Sequence, residues 1–154
     1  GPGDGSLTDI ICHKARHVYA VEIDPLLIEY LNNKNYDNVT IYNSDILEWD
    51  LSIVPKDIKV IGNLPYYISS PILFKFLETM NYQKMVFMFQ RELANRIISK
   101  EGSKMYGRIS VMCQVYCDVK IEFNVSRNVF QPKPDVDSSV LSFYPKKSSL
   151  PTRS

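Results

Sequence analysis

Apolar and polar positions follow two rhythms along the chain. Six short runs, residues 17–23 (HVYAVEI), 39–43 (VTIYN), 58–62 (IKVIG), 84–89 (KMVFMF), 120–125 (KIEFNV) and 139–144 (SVLSFY), are rich in β-branched and aromatic side chains and bounded by turn formers. That pattern predicts strands. Amphipathic stretches at 6–14, 25–33, 70–80, 92–100 and 108–117 precede or separate them and predict helices. Alternation of this kind predicts an α/β fold with a doubly wound, mostly parallel sheet. Asp24-Pro25 and Ser70-Pro71 each place a capping side chain before a proline, whose missing N–H costs nothing at the first helical position. The final residues, PKKSSLPTRS, are polar, basic and proline-containing. Residues 1–145 are therefore expected to form the domain and 146–154 a linker.

Composition narrows the classes. A chain of 154 residues, 45% hydrophobic and 23% charged, is long enough to bury roughly two thirds of its unfolded surface, which excludes disorder as its main state. Eighteen Lys and Arg against 17 Asp and Glu leave a net charge of +1, so any nucleic-acid contact must come from a local patch. Three cysteines without a CxxC pair make neither a disulfide framework nor a zinc knuckle, and with no visible secretory leader they predict a reducing, cytoplasmic setting. The longest apolar runs fall well short of the ~20 residues that span a bilayer, so no membrane association is expected.

Three segments carry candidate chemistry. Gly1, Gly3 and Gly5 stand in a GxGxG loop before a helix, with Glu22 at the end of the next strand. Glycines allow close backbone approach, and an acid there can take both hydroxyls of a ribose. Position 6 is Ser, so the loop departs from the dinucleotide fingerprint and suits a nucleoside without a pyrophosphate; a plain turn fits the glycines equally well. Asn43-Ser44-Asp45-Ile46 follows the second strand. Asp45 can accept from an exocyclic amine while Ile46 packs on a purine, and a simple helix cap is the competing role.

Asn63-Leu64-Pro65-Tyr66 follows the third strand and is the sharpest of the three. The exocyclic amine of a purine is a poor nucleophile because its lone pair is delocalised. Methylating it calls for acceptors that hold both amine protons: Asn63 supplies one and the Leu64 carbonyl a second. Pro65 restricts the backbone, and Tyr66 offers a face for a flipped base. With a sulfonium donor the site mainly aligns groups and presents dipoles, and no general base of matched pKa is required. The bland alternative is a strand-ending turn with a buried tyrosine.

Gly-Pro-Gly-Asp-Gly-Ser-Leu-Thr at 1–8, Val-Glu-Ile-Asp at 21–24, Ser-Asp-Ile-Leu at 44–47, Asn-Leu-Pro-Tyr-Tyr-Ile-Ser-Ser-Pro-Ile-Leu at 63–73, the 90–117 stretch and the 129–140 stretch resemble, in order, the bacterial ribosomal RNA small-subunit adenine dimethyltransferases (the KsgA family). The resemblance implies a Rossmann-like class I methyltransferase that uses S-adenosylmethionine to dimethylate N6 of two adjacent adenosines near the 3′ end of small-subunit ribosomal RNA, with a role in small-subunit biogenesis. It implies that Gly1, Gly3 and Gly5 form the cofactor loop, Glu22 holds the ribose, Ile23 packs on the cofactor adenine, and Asp45 with Ile46 reads its edge. Asn63 would border both cofactor and target. Asn63, Leu64, Pro65 and Tyr66 would be the transfer site, and Phe130 a second aromatic against the target base; a core-filling role suits Phe130 equally. The partners implied are small-subunit ribosomal RNA and the 30S particle, met as a monomer, with no metal.

Relatives also carry a strand before the glycine loop and a helical domain after residue 145. A fragment lacking that strand is expected to leave neighbouring strands without partners and to bind cofactor weakly. Two rivals remain: a non-catalytic RNA-binding assembly factor, and the related large-subunit methyltransferases of antibiotic resistance. His13, His17 and Cys12 have metal-like spacing but straddle a predicted helix end, so a surface pair is expected. Cys113 and Cys117 read as buried apolar residues. Arg91, Arg96, Lys100, Lys104 and Arg108 read as a solvated face with phosphate contacts as the alternative.

Overall fold

The computed structural model describes residues 1–3, 5–79 and 81–146. The expected linker lies, beyond Lys146, outside the described residues. The chain divides into two compact units, Gly1–Pro55 and a second that starts at Lys56.

The first unit contains α1 (Ser6–Ile11), β1 (Val18–Glu22), α2 (Pro25–Asn32) and β2 (Val39–Asn43). β1 and β2 pair in parallel, with Val18 opposite Val39 and Glu22 opposite Asn43. Asp24 caps α2 by accepting from the Leu26 amide at 2.9 Å, and Pro25 follows at the start of the helix, as the sequence predicts. α1 ends three residues earlier than expected. The Asn38 side-chain amide donates to the carbonyls of Cys12 at 2.6 Å and Ala15 at 3.0 Å, holding those acceptors in a turn outside the helix.

The second unit contains β3 (Ile58–Asn63), α3 (Ser69–Thr79), β4 (Tyr82–Gln90), α4 (Arg91–Ile98), α5 (Arg108–Tyr116), β5 (Cys117–Val125) and β6 (Ser138–Pro145). Its four strands lie in the order β3-β4-β6-β5. β3 and β4 are parallel, while β6 runs antiparallel to both β4 and β5. β6 is thus the single reversed strand of this sheet, and the other three run one way. Among the described residues β1 and β3 are each paired along one edge only.

β4 is central and buries Tyr82, Met85, Phe87 and Phe89. Phe87 meets Phe76, Phe89 and Phe143 at ring separations of 6.0–6.1 Å, tilted and edge-on geometries that add to area burial. Leu73 and Leu77 of α3, Ala94 and Ile97 of α4, and Cys113 of α5 complete this core. The edge strand β5 carries exposed Asp118, Lys120, Glu122 and Asn124, charged and polar side chains that protect an open edge.

Helix α3 starts at Ser69, one residue before the predicted cap. Ser69 Oγ donates back to the Tyr66 carbonyl at 3.0 Å, which leaves Pro71 inside the first turn, where an N–H has no intrahelical partner in any case.

Candidate active site

In the first unit the glycine loop is built around Glu22. This carboxylate is 7% exposed. Its Oε1 accepts from the Gly3 amide at 3.2 Å, and its Oε2 from the amides of Ile23 at 2.8 Å and Asp24 at 3.1 Å. Gly3 and Gly5 have φ of +57° and +85°, and a Cβ at Gly1 would sit 2.8 Å from Glu22 Oε1. Glycine is thus required by left-handed backbone at two positions and by close approach at the third.

The strand ends are locked to one another. Asn43 Nδ2 donates to the carbonyls of Glu22 and Ile23, each at 3.1 Å, and the Ser44 amide donates to Glu22 O at 3.0 Å. Asp45 Oδ1 accepts from the Leu47 amide at 3.0 Å, and its carbonyl takes the amides of Glu48 and Trp49. These bonds are the capping role of this residue. Ile23 is 63% exposed and Ile46 half-buried. Gly1, Gly3, Glu22, Ile23 and Asp45 accordingly share the carboxyl edge of one parallel pair, where open α/β sheets take ligands.

This donor set fits a nucleoside. A carboxylate offers about four lone-pair sites; Glu22 gives one to the Gly3 amide of the loop and two to the amides of Ile23 and Asp24 just after β1, which leaves one acceptor position for a ribose hydroxyl. The exposed Ile23 side chain supplies apolar area for a base beside it.

In the second unit Asn63 ends β3 opposite Met88. Its side chain is exposed and enters no hydrogen bond among the described residues. The Leu64 amide donates to the Met88 carbonyl at 3.4 Å, and the Ile68 amide to Pro65 O at 3.1 Å. These bonds hold Asn63-Leu64-Pro65-Tyr66 as a turn between β3 and α3, with no hydrogen bond among the described residues to the Leu64 carbonyl. Tyr66 is 70% exposed and Tyr67 72%, so the tyrosine is not the buried one that a plain turn would supply. Their rings stand 5.7 Å apart at 87°.

Phe130 is half-buried at the end of a 3-10 turn, Arg127–Val129. Its loop is stapled by Arg127, whose amide donates to Asp137 Oδ1 at 2.9 Å and whose guanidinium donates to Asp135 O at 2.7 Å. The Arg91 amide, just after β4, donates to Asp137 O at 2.9 Å. Asn63 pairs with Met88, and Ser138 pairs with Gln90 two residues further along β4. The Asn63 turn and the end of the Phe130 loop therefore leave the same edge of the sheet.

His17 Nε2 lies 2.6 Å from Thr40 Oγ1 and its ring packs edge-on against Tyr19; no metal-binding cluster of His, Cys, Asp or Glu occurs among the described residues. Among the basic residues, Arg96 pairs with Glu92 at 3.2 Å, Arg91 lies 3.9 Å from Asp137, and Arg108 sits over the Phe74 ring. Among the described residues no helix is long and apolar enough to cross a membrane. Sequence reasoning assigned no role to Asn43, because its place opposite Glu22 follows from the parallel register of β1 and β2.

The profile described as "Ribosomal RNA adenine dimethylase" matches residues 1–154. The ribosomal RNA small subunit methyltransferase A of Malacoplasma penetrans is 43% identical over 96% of this chain and 54% of its own length, so the chain spans about half the length of that relative. A dimethyladenosine transferase from Plasmodium falciparum superposes with a TM-score of 0.87 at 32% identity, covering 97% of this chain and 55% of that one. The 23S rRNA methyltransferase ErmE superposes with a TM-score of 0.85 at 29% identity, covering 96% and 60%. These likenesses give the doubly wound α/β fold of the class I S-adenosylmethionine-dependent methyltransferases. Set beside the glycine loop on Glu22 and the Asn63 turn, they place this chain in the ribosomal RNA adenine dimethylase family.

Proposed function

We propose that the protein is an S-adenosylmethionine-dependent RNA adenine N6-dimethyltransferase acting on two adjacent adenosines near the 3′ end of small-subunit ribosomal RNA. The observation that carries this is the Asn63 turn. An exposed side-chain carbonyl and a main-chain carbonyl without partners among the described residues stand beside an exposed aromatic at a strand's carboxyl end. S-adenosylmethionine, when bound, supplies an electrophilic methyl group on a sulfonium.

The residues of the first unit serve binding. Glu22 accepts one ribose hydroxyl while keeping Gly3 in place, Ile23 covers a base face, and Asp45 with Ile46 reads the adenine edge, with Gly1 and Gly5 allowing close approach. The residues of the second unit serve the acceptor. Asn63 Oδ1 and the Leu64 carbonyl each take one proton of the adenine amine, turning its lone pair away from the ring and aligning it for transfer. Pro65 fixes the turn, and Tyr66 stacks the flipped base with Phe130 as its second aromatic.

The family and the 43% identity to a small-subunit enzyme support the small subunit over the large one. In this reading the protein works as a monomer in the cytoplasm on the assembling 30S particle, and residues 1–145 form its methyltransferase domain.

The test uses the full-length protein, small and large ribosomal subunits lacking the modification in separate reactions, and methyl-labelled S-adenosylmethionine, followed by digestion to nucleosides. Labelled dimethyladenosine from small-subunit RNA is the expected product. Label only in large-subunit RNA would transfer the assignment to the resistance-type enzymes, and particle binding without label would leave an assembly factor.

A further inference from the structure

The glycine loop is held from a second side by residues with no assigned role. Tyr36 follows α2 and reaches back across 31 residues, its hydroxyl 3.4 Å from the Gly5 carbonyl oxygen. The same hydroxyl donates to Asp9 Oδ1, and Lys34 Nζ donates to Asp9 Oδ2 at 2.8 Å. A Cβ at Gly5 would lie 2.7 Å from the Tyr36 hydroxyl and 2.9 Å from Leu31 Cδ2. Gly5 also has φ of +85° and is buried. The Gly5 end of the loop is therefore wedged against a hydroxyl whose own position is fixed by a charged pair, while Glu22 holds the Gly3 end.

We propose that Tyr36 is a positioning residue for cofactor binding: with Asp9 and Lys34 it forms a stop that sets the Gly5 end of the loop at the height the cofactor requires. This rests on the assignment of the loop to S-adenosylmethionine, but the stop itself is a property of the first unit. Charge supports it. The hydrogen bonds from Lys34 and Tyr36 hold the Asp9 carboxyl below its ordinary range, and Asp9 in turn raises Lys34. Burial, then the bond to Asp9, pushes Tyr36 up to about 12. All three groups thus keep the protonation states that the network needs at neutral pH. Asp9 lies in α1, Lys34 and Tyr36 follow α2, and Gly5 precedes α1, so the relay ties both helices to the loop. Charge-assisted bonds of this type are about twice as strong as neutral ones.

The test compares wild type, Tyr36→Phe, Asp9→Ala and the double variant in the full-length protein. S-adenosylmethionine affinity is measured by calorimetry, turnover at saturating cofactor, and hydrogen exchange at the Gly3, Gly5 and Ser6 amides. Tyr36→Phe is expected to weaken cofactor binding roughly tenfold, the scale of one hydrogen bond to a charged group. The RNA KM and the turnover at saturating cofactor stay within about twofold, and the loop amides exchange faster. The double variant is expected to be no worse than the weaker single one, because Asp9 acts through the hydroxyl. Unchanged affinity in Tyr36→Phe, or additive losses in the double variant, overturns the proposal. Parallel losses of cofactor affinity, of apparent RNA affinity (a raised KM) and of melting temperature also overturn it, by reducing the residue to a fold-stabilising one. If the wild type binds no S-adenosylmethionine, the functional assignment fails separately. The exchange rates then still decide: faster loop exchange in Tyr36→Phe upholds the stop, and unchanged exchange removes it.

Discussion

Asn63 and Gly62 sit side by side at the end of β3, yet the two substitutions there test different things. Asn63→Ala removes an exposed acceptor that makes no hydrogen bond among the described residues, so folding has little to lose. An acceptor engaged mainly in the transition state is worth on the order of a hundredfold in rate. Methyl transfer is therefore expected to fall by about that factor, with cofactor affinity preserved within about tenfold, as single-turnover rates and calorimetry would show; equal losses in both would make Asn63 a cofactor ligand only. Gly62 has no unusual φ, so its constraint is space: a Cβ would lie 3.0 Å from Leu64 Cδ2 and 3.2 Å from Phe87 Cδ1. Phe87 is locked in the aromatic core, so Leu64 must give way, and with it the carbonyl proposed to hold the adenine amine. Gly62→Ala is expected to cost about 1–3 kcal/mol by overpacking and to slow transfer while leaving cofactor affinity alone. A variant with lowered stability and full activity would show that the Leu64 carbonyl takes no part.

At the scale of elements, α4 and α5 are joined by hydrogen bonds that close the end of one helix with side chains of the other. Ser110 Oγ donates to Arg96 O at 2.5 Å and accepts from the Gly107 amide at 3.1 Å; Gln114 Nε2 donates to the carbonyls of Ile97 at 2.9 Å and Ser99 at 2.8 Å. These are the acceptors that a helix end leaves over. Ser110 is fully buried, so Ser110→Ala leaves groups unsatisfied and is expected to cost about 1–3 kcal/mol. Ser142 is the control, because its Oγ is equally buried but has no partner among the described residues. Ser142→Ala should hold stability within about 0.5 kcal/mol or raise it, since a desolvated hydroxyl is lost with no bond broken. Urea melts showing equal effects of the two would refute this account of the α4–α5 junction.

The same junctions mark what the sequence could show. All six strand runs and all five amphipathic stretches form the expected elements, because their periodicity is local. Boundaries fail where a distant side chain decides them. Asn38 shortens α1 from 23 and 26 residues away, and α5 passes into β5 at Cys117 with no loop between. The candidate site divides the same way. Asn63 to Tyr66 is contiguous and legible, whereas Asn43 and Tyr36 act on Glu22 and Gly5 across 21 and 31 residues, a relation that only the parallel pairing and the packing of α2 reveal.

For the molecule as a whole, net charge near zero leaves pH sensitivity to particular buried groups, and three of these cluster in the second unit. Burial pushes the Cys113 thiol up to about 12 and the Cys117 thiol up to about 11, and raises Tyr82, whose hydroxyl lies 3.0 Å from Cys117 Sγ. In the unfolded chain a thiol ionises near pH 8.5. Each folded-state value lies above its unfolded one, so this contribution to stability is complete below about pH 8.5 and is lost as pH rises toward the folded values. Across roughly pH 9 to 11 the unfolded state has released protons that the folded state still holds, and stability should fall by up to about 1.4 kcal/mol per pH unit for each thiol. Urea melts at a series of pH values would read that slope, and Cys117→Ala should flatten it even though the variant starts lower because of its cavity. The same burial forecasts chemistry in the native state. At pH 8 iodoacetamide should modify Cys12, which is half-buried, while Cys113 and Cys117 react only after denaturant is added. Rapid native labelling of all three thiols would mean that the packing of α5 against the sheet opens far more readily than its buried contacts imply, and the alkaline slope would then vanish with it.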